Sequence, residues 1–335
     1  MSHCIIPKGY KSILSTYQTQ SAIGRLKRVF EDNLSMSLNL HRVSAPLFVE
    51  PQTGLNDNLS GIERPVEFDV PETGRTSQIV HSLAKWKRMA LHKYGFSAGH
   101  GLYTDMNAIR RDEVLDNTHS IYVDQWDWES IITLEQRNEA FLKQTVQRIT
   151  EAIYAASERL RWDYPDLPVS LARDVTFVTA QELEDLYPTL SPEQREDVFT
   201  KEHKTVFVMK VGGKLRSGQT HGSRAPDYDD WNLNGDIIYW HDLLGHALEL
   251  SSMGIRVDAA ALDAQLTEAD CNDRRNLDFH KALLSSQLPL TMGGGIGQSR
   301  LCMLLMAKAH IGEVQVSVWD DETKNICEAA GVKLL

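Results

Sequence analysis

The stretch Gly293-Gly294-Gly295-Ile296-Gly297-Gln298-Ser299-Arg300, with the apolar run LCMLLM after it, is the most informative part of the chain. Glycines in a strand let a flat ligand lie against bare backbone. The run that follows predicts a helix with Arg300 in its first turn, where a guanidinium can bind an oxyanion through two hydrogen bonds. Arg300 stands where the dinucleotide-binding fingerprint has its third glycine, so the pattern is G-x-G-x-x-R. Taken alone, it fits a glycine-rich strand end with a surface arginine equally well.

The composition is that of an ordinary globular protein. The chain has 335 residues, of which 42% are hydrophobic and 24% charged, and it is long enough to bury a large core. Its net charge of −11 argues against broad binding to nucleic-acid phosphates, so we expect no nucleic-acid partner. A local arginine cluster can still attract a small anion.

The cysteine usage and the lack of long apolar runs indicate a cytoplasmic protein. The four cysteines are scattered without a C-x-x-C pair, which is typical of reduced thiols. The first residues show no leader-like apolar run, and no stretch approaches the ~20 apolar residues of a membrane span. We therefore expect no membrane partner.

The hydrophobic periodicity predicts an α+β fold with a mostly antiparallel sheet flanked by helices. Helices are expected over residues 19–36, 85–94, 134–162, 180–200 and 258–284. Strands are expected over residues 40–49, 65–70, 77–80, 101–111, 120–123, 175–178, 205–211, 237–240 and 247–251. Without repeats or linkers, residues 1–335 are expected to form a single domain, with residues 1–16 as a peripheral N-terminal segment.

Two upstream segments carry residues suited to binding anions. In residues 81–88 (HSLAKWKR), a polar strand end opens a helix whose Lys87 can reach a carboxylate, although a solvated basic face explains the segment as well. In residues 96–113, a strand ends at Arg110 and turns through Asp112-Glu113. That arrangement suits an α-phosphate and an adenine edge, and a charged hairpin tip is the alternative.

A third segment, residues 249–258 (ELSSMGIRVD), combines a carboxylate, small residues and an arginine. Glu249 can hold Mg²⁺, and Arg256 can bind a carboxylate through two hydrogen bonds. The serines and the glycine between them let backbone approach a ligand.

Together these segments resemble the active site of the class II aminoacyl-adenylating enzymes. Arg110 and Arg300 stand where the second and third motifs of that class have their arginines. The helix near residues 23–34, with the strand around Pro46, resembles the first motif, which forms the dimer interface. With residues 57–61 (DNLSG), 122–129 (YVDQWDWE) and 224–231 (RAPDYDDW), the chain resembles the ammonia-dependent asparagine synthetases from about residue 23 to its end.

This resemblance implies a class II synthetase-like catalytic domain that forms a homodimer. It implies ATP-dependent amidation of L-aspartate by ammonia to L-asparagine, through β-aspartyl-AMP, with release of AMP and pyrophosphate. ATP is then a co-substrate and Mg²⁺ the metal ion.

The resemblance also assigns roles to individual residues. The catalytic residues are Asp57, as the base for ammonium, and Arg110 and Arg300. The residues assigned to aspartate are His81, Ser82, Lys87, Gln125, Asp127, Ser252 and Arg256. The residues assigned to ATP are Arg110, Glu113, Asp230, Glu249, Ser251, Gly295 and Arg300. Within the aspartate set, Lys87 and Arg256 are expected to hold the α-carboxylate, and Gln125 and Asp127 the α-ammonium.

The metal site is expected at Glu249 with Asp236, and Asp242 competes for the second position. Asp229 is a further candidate for the pocket wall. The chain departs from the family pattern at three places. His100 stands where glutamate is expected, and residues 244–247 lack the expected acidic residues. The connection over residues 231–234 is also short.

Two other functions are considered. A tRNA synthetase or tRNA-dependent relative is disfavoured by the net charge and by the few residues before the first motif. A regulatory protein without catalysis is disfavoured because Arg110, Glu249 and Arg300 are all present.

Overall fold

A computed structural model describes residues 3–59 and 61–335. The first two residues of the expected peripheral segment, and Ser60 of the DNLSG stretch, lie outside the described residues. The strands are β1 (Leu40–Arg42), β2 (Phe48–Val49), β3 (Glu67–Val70), β4 (Arg75–Ile79), β5 (Gly101–Ile109), β6 (Tyr122–Ile131), β7 (Thr176–Thr179), β8 (Thr205–Met209), β9 (Asp229–His241), β10 (His246–Arg256) and β11 (Thr291–Gly297). The helices are α1 (Thr16–Leu38), α2 (Ala84–Lys93), α3 (Glu139–Asp163), α4 (Ala180–Leu186), α5 (Pro192–His203), α6 (Ala259–Glu268), α7 (Asp278–Leu284), α8 (Gln298–Leu305) and α9 (Asp321–Ala329).

The main sheet has eight strands in the order β1-β5-β6-β11-β10-β9-β8-β7. Of its described pairs, β1–β5 and β7–β8 at the two edges are parallel, and those between them are antiparallel. Strands β2, β4 and β3 form a small antiparallel sheet beside it. The predicted α+β class with a mostly antiparallel sheet is confirmed.

Two long helices, α1 and α3, form the core with the main sheet. Phe30 of α1 and Ile149 of α3 are buried in the same apolar cluster as Trp126 and Trp128 of β6. The rings of Phe30 and Trp126 lie 4.6 Å apart between centroids. Burial of each such side chain contributes roughly 1.5–3 kcal/mol. Side chains alternate along a strand, so Gln125, Asp127 and Glu129 project from the opposite face of β6.

Several predicted boundaries were wrong. Residues 40–49 form two short strands in different sheets, because Pro46 has no N–H to donate to a ladder. Helix α3 begins at Glu139 and not at residue 134, since the Asn138 side chain accepts the N–H of Phe141 and caps the helix there. Residues 231–234 are no connection at all but part of β9, which begins at Asp229. In the described part of the chain, no helix is both long and apolar enough to cross a membrane.

Candidate active site

A cavity of about 500 Å³ opens between the ends of β5, β6, β10 and β11 and the start of α8. Most residues predicted for the site line it. They are Asp57, Ser82, Lys87, Arg110, Glu113, Gln125, Asp127, Glu249, Ser252, Arg256, Gly295 and Arg300. The structure therefore brings together segments that are up to 243 residues apart in sequence, from Asp57 to Arg300.

At one end of the cavity, Lys87 and Asp127 form a buried ion pair. The Lys87 ammonium also donates to the carbonyl oxygen of Gly294 at 3.0 Å. Burial lowers the pKa of Lys87, and the carboxylate of Asp127 offsets this only in part. The backbone of the glycine-rich strand thus accepts a hydrogen bond directly from the lysine.

Arg256 lies beside this pair, between two buried carboxylates. Its Nε and Nη2 atoms donate to Glu129 Oε2 at 3.2 and 3.0 Å, and its Nη1 atom donates to Asp229. Burial by itself would lower the pKa of Arg256, but the charges of Glu129 and Asp229 outweigh it and raise the pKa. The guanidinium is held charged and in one orientation at the cavity wall.

At the other end, Arg300 occupies the first turn of α8, as predicted. Its Nη1 atom donates to the carbonyl oxygen of Glu249 at 3.0 Å, and its Nε atom to that of Thr118 at 3.3 Å. Arg110 directly follows β5, and its backbone N–H donates to Ile121 at 2.8 Å. Two arginines from separate segments therefore face one cavity end, which suits a polyanion.

A β-bulge orients Glu249. The register of β10 against β9 shifts between Glu249 and Ser251, so Glu249 and Ser252 share a face although they are three residues apart. The Ser252 hydroxyl donates to Glu249 Oε1 at 2.9 Å. Partial loss of hydration at the cavity wall would raise the pKa of Glu249, but the charges of Arg300 and Arg224 outweigh this effect and lower the pKa.

Asp236 supplies a second carboxylate close to Glu249. It lies opposite Ser252 on β9, and its Oδ1 atom accepts from Arg224 Nη2 at 2.5 Å. Burial and the negative charge of Glu249 raise the pKa of Asp236 against the opposing effect of Arg224. Two carboxylates that repel each other in this way fit a hard divalent cation, which prefers oxygen ligands.

The competing candidate, Asp242, lies at the far end of β9. Its side chain is 80% exposed and pairs with Lys204 at 3.2 Å. The structure therefore favours Asp236 as the neighbour of Glu249.

Four predicted residues do not line the cavity: His81, Asp230, Asp236 and Ser251. His81 lies behind Asp57, with its Nδ1 atom 3.1 Å from the Asp57 carbonyl oxygen. Asp230 pairs with Arg137 at 2.6 Å, because strand alternation points its neighbour Asp229 to the cavity instead. Ser251 is buried in the sheet for the same reason. Asp230 and Ser251 therefore lie outside the set of predicted residues that line the cavity.

The structure also shows where the residues that depart from the family pattern lie. His100 is exposed in the loop before β5 and is not part of the cavity. His246 opens β10 and lines a second cavity, which meets the first at Glu249 and Arg300.

Three residues of the site, Glu129, Arg224 and Asp124, were given no role from the sequence. Glu129 follows Asp127 by two residues on the same strand, so strand alternation alone could have revealed it. Arg224 is buried beside Asp229 and Asp236, at 3.9 and 2.5 Å, and nothing in its segment sets it apart. Asp124 accepts both the backbone N–H and the hydroxyl of Ser299, at 3.0 and 2.9 Å, and so fixes the start of α8.

Comparison with known proteins identifies the family. The family described as aspartate-ammonia ligase matches residues 17–331. The chain belongs to the aspartate–ammonia ligase family. It is similar to the aspartate–ammonia ligase of Ruminiclostridium cellulolyticum, with 56% identity over 336 residues and full coverage of both chains. The aspartate–ammonia ligase of Clostridium tetani is 58% identical over 332 residues, which cover 99% of this chain and 97% of the relative.

Comparison with solved structures identifies the fold of this member of the aspartate–ammonia ligase family. The asparaginyl-tRNA synthetase of Pyrococcus horikoshii, complexed with asparaginyl-adenylate, superposes with a TM-score of 0.66 at 13% identity, over 89% of this chain and 68% of the other. The aspartyl-tRNA synthetase of Entamoeba histolytica gives 0.61 at 14% identity, over 91% of this chain and 59% of the other. The predicted class II synthetase-like fold is confirmed.

Proposed function

We propose that the protein makes L-asparagine from L-aspartate, ammonia and ATP in two steps, through β-aspartyl-AMP, with release of pyrophosphate and AMP. The family supports the overall reaction, since relatives at 56 and 58% identity are named aspartate–ammonia ligase. One observation carries the adenylate route: a single cavity contains the Lys87 and Arg256 cluster and the Arg110 and Arg300 pair.

The Lys87 end suits a small zwitterion. Lys87 and Arg256 bind the α-carboxylate of aspartate, and Gln125 and Asp127 bind its α-ammonium. In the structure each cation already faces a carboxylate, so the pocket holds both signs of charge before the substrate enters. Ser82 and Ser252 complete the polar wall, and His81 supports Asp57 from behind. The β-carboxylate is left to point along the glycine-rich strand toward the arginines.

The arginine end suits a triphosphate. When the β-carboxylate attacks the α-phosphorus, negative charge builds on the phosphate oxygens and on the leaving pyrophosphate. Arg110 stabilises the charge on the α-phosphate oxygens, and Arg300 stabilises the charge on the leaving pyrophosphate. Each such contact is worth about 10²-fold in rate. Gly295 leaves room at the cavity wall, because a Cβ atom there would lie 2.3 Å from Gln125 Oε1. Glu113 receives the adenine edge.

Glu249 and Asp236 would hold Mg²⁺, with Ser252 keeping Glu249 in place. When bound, Mg²⁺ would neutralise phosphate charge in a way that the arginines alone do not. Glu249 lies directly before the bulge in β10, and its carboxylate interacts electrostatically with Arg300.

Asp57 acts in the second step. Ammonium gives a proton to the Asp57 carboxylate, and the resulting ammonia attacks the acyl carbonyl of the adenylate. The bond between the acyl carbon and the phosphate oxygen breaks, so that AMP leaves, and the nitrogen releases its extra proton to water. Asp57 is buried at the cavity wall, and its Oδ1 atom accepts the N–H of Leu59 at 2.9 Å. This hydrogen bond fixes the carboxylate while its other oxygen can face the substrate.

The protein is also proposed to be a cytoplasmic homodimer. We assign the first class II motif to helix α1 and the extended segment around Pro46, which lies between β1 and β2. Helix α1 carries exposed apolar side chains that a partner would cover, Tyr17 at 82% and Met36 at 74%.

The test is an incubation of purified protein with aspartate, ATP, Mg²⁺ and ammonium chloride, without tRNA. Asparagine, AMP and pyrophosphate should appear in equal amounts. ADP and phosphate in their place would indicate an acyl-phosphate route and overturn the roles of Arg110 and Arg300. Absence of asparagine, with aspartylated tRNA formed when tRNA is added, would point instead to a synthetase.

A further inference from the structure

A buried cluster outside the cavity joins the N-terminal segment to the last helix. Cys4, His310 and Cys327 each offer a sulfur or nitrogen atom, and these atoms lie within 4.8 Å of one another. The two sulfurs are 3.9 Å apart, and both side chains are buried. The proposed reaction uses none of these three residues.

The hydrogen bonds of His310 define its chemical role. Its Nδ1 atom accepts the backbone N–H of Gly312 at 3.0 Å, so a neutral ring carries its proton on Nε2. A ring nitrogen of His310 lies within 4.8 Å of the Cys4 sulfur, and the interaction between them contributes to the lowered pKa of Cys4. With one nitrogen accepting and the other protonated, the ring offers no lone pair to a metal ion. The cluster is therefore better suited to thiol chemistry than to metal binding.

Cys4 has the character of a reactive thiol. Hydrogen bonds from Cys327 and His310, opposed by burial, lower the pKa of Cys4 to about 5. The thiolate is the nucleophile in exchange reactions, so this environment activates the sulfur. By contrast, burial raises the pKa of Cys302 to about 12.

We propose that Cys4 and Cys327 form a reversible disulfide that ties the N-terminal segment to α9, with a low-molecular-weight disulfide such as oxidised glutathione as the oxidant. The sulfurs are in contact, and bond formation requires them to approach by about 2 Å. Because Cys4 precedes α1 and Cys327 lies on α9, the bond would covalently join two elements that share one buried apolar cluster.

The exchange balances in two steps. The Cys4 thiolate attacks one sulfur of oxidised glutathione and expels one glutathione thiolate. That thiolate takes the proton of Cys327, whose sulfur then attacks Cys4 in the mixed disulfide and expels the second glutathione. The second glutathione leaves as a thiolate and takes up from water a proton equivalent to the one that Cys4 released when its own thiolate formed. In total the protein loses two hydrogens, and one oxidised glutathione becomes two reduced molecules.

The segment that would be fixed also touches the cavity wall. The backbone N–H and carbonyl of Ile5 pair with the side chain of Asn117, at 2.7 and 2.8 Å. Thr118 and His119, which follow Asn117, line the cavity near Arg300. Oxidation therefore acts on a segment that backs the proposed triphosphate end.

The experiment treats the full chain with oxidised glutathione, blocks remaining thiols by alkylation and digests with trypsin without reduction. A peptide ending at Lys8 should be joined to the peptide that follows Lys324, and dithiothreitol should separate them. C4S and C327S should lose the link, and C271S, which alters a thiol outside the cluster, should keep it. His310→Gln should slow the reaction several-fold at pH 6 and less at pH 9, where thiolate forms without help.

Two results would overturn the proposal. One is the modification of Cys271 while Cys4 and Cys327 remain open to alkylation. The other is one Zn²⁺ per chain in native mass spectrometry, lost in C4S and protecting both thiols, which would make the cluster a metal site. The mapping uses the unmodified protein, so it is informative even if a variant fails to fold.

Discussion

Arg256 donates two hydrogen bonds to a single oxygen of Glu129, from Nε at 3.2 Å and from Nη2 at 3.0 Å. Both residues are buried, and Thr291 donates to the other oxygen of Glu129 at 2.7 Å. The carboxylate of Glu129 thus anchors the Nε and Nη2 atoms of the guanidinium, while the Nη1 atom donates to Asp229.

We expect Glu129→Gln to raise the KM for aspartate more than the KM for ATP, because Arg256 loses one of the two carboxylate charges that orient it. Glu129→Ala, which leaves the buried guanidinium with Asp229 as its one remaining carboxylate partner, should lower the free energy of unfolding by about 3 kcal/mol. Steady-state kinetics and urea unfolding measure the two effects. Glu135→Gln, in the exposed turn after β6, is the matched control. An unchanged KM for aspartate in Glu129→Gln would disprove the anchoring role.

The second prediction concerns Arg300. Arg300→Ala should lower kcat/KM for ATP by about 10²-fold or more, since the contact stabilises charge that develops in the transition state. Arg300→Lys should recover little, because an ammonium cannot reproduce the planar fork. Arg111→Ala, an exposed arginine outside the cavity, should retain wild-type kinetics. Equal losses in Arg111→Ala and Arg300→Ala would mean that only the overall charge matters.

The third prediction separates the two metal candidates. Asp236→Asn should raise the Mg²⁺ concentration for half-maximal activity by about tenfold or more, because a ligand charge is lost. Asp242→Asn should leave it unchanged, since that side chain is exposed and distant. Titration of activity with Mg²⁺ distinguishes the variants, and the reverse ranking would move the site to Asp242.

The fourth prediction isolates the second chemical step. Asp57→Asn should keep aspartate-dependent exchange of pyrophosphate into ATP, because adenylate formation does not need the base. Asparagine formation should fall by about 10²-fold or more. Loss of both activities in a folded variant would show that Asp57 serves adenylate formation instead.

The fifth prediction concerns stability and pH. Burial, together with the charge of nearby His246, lowers the pKa of His241 to about 4, below about 6.5 in the unfolded chain. The Nδ1 atom of His241 accepts the N–H of Leu244 at 3.3 Å, which requires that nitrogen to be unprotonated. The unfolded state therefore binds more protons between these values. About 3 kcal/mol of stability, present above pH 6.5, is lost as the pH falls to 4.

Urea unfolding between pH 7.5 and 4 measures this loss. His241→Asn, whose amide oxygen can accept the same N–H, should show a shallower pH dependence across the window. His100→Asn, on the exposed loop, should keep the wild-type slope. Identical slopes in all three proteins would contradict the assignment to His241.

Much of the site was predictable because its residues lie in short segments with strong local constraints. Arg300 follows a glycine-rich strand and an apolar run that together leave few conformations, and it is found in the first turn of α8. Lys87 and Arg256 also lie at the cavity, because their strand and helix positions follow from local periodicity. The ends of helices were less predictable, because a capping side chain such as that of Asn138 can start a helix at a different residue from the one that hydrophobic periodicity suggests.

The amino-acid sequence by itself determined the fold class, the family and which segments form the cavity, since these depend on hydrophobic periodicity and on short motifs of neighbouring residues. Only the tertiary structure decided that Asp229 and not Asp230 faces Arg256, that Asp236 and not Asp242 neighbours Glu249, and that Glu129 anchors the guanidinium. The physical reason is strand register. A bulge of one residue, such as that between Glu249 and Ser251, reverses which side chains share a face, and bulges arise from pairing with distant strands.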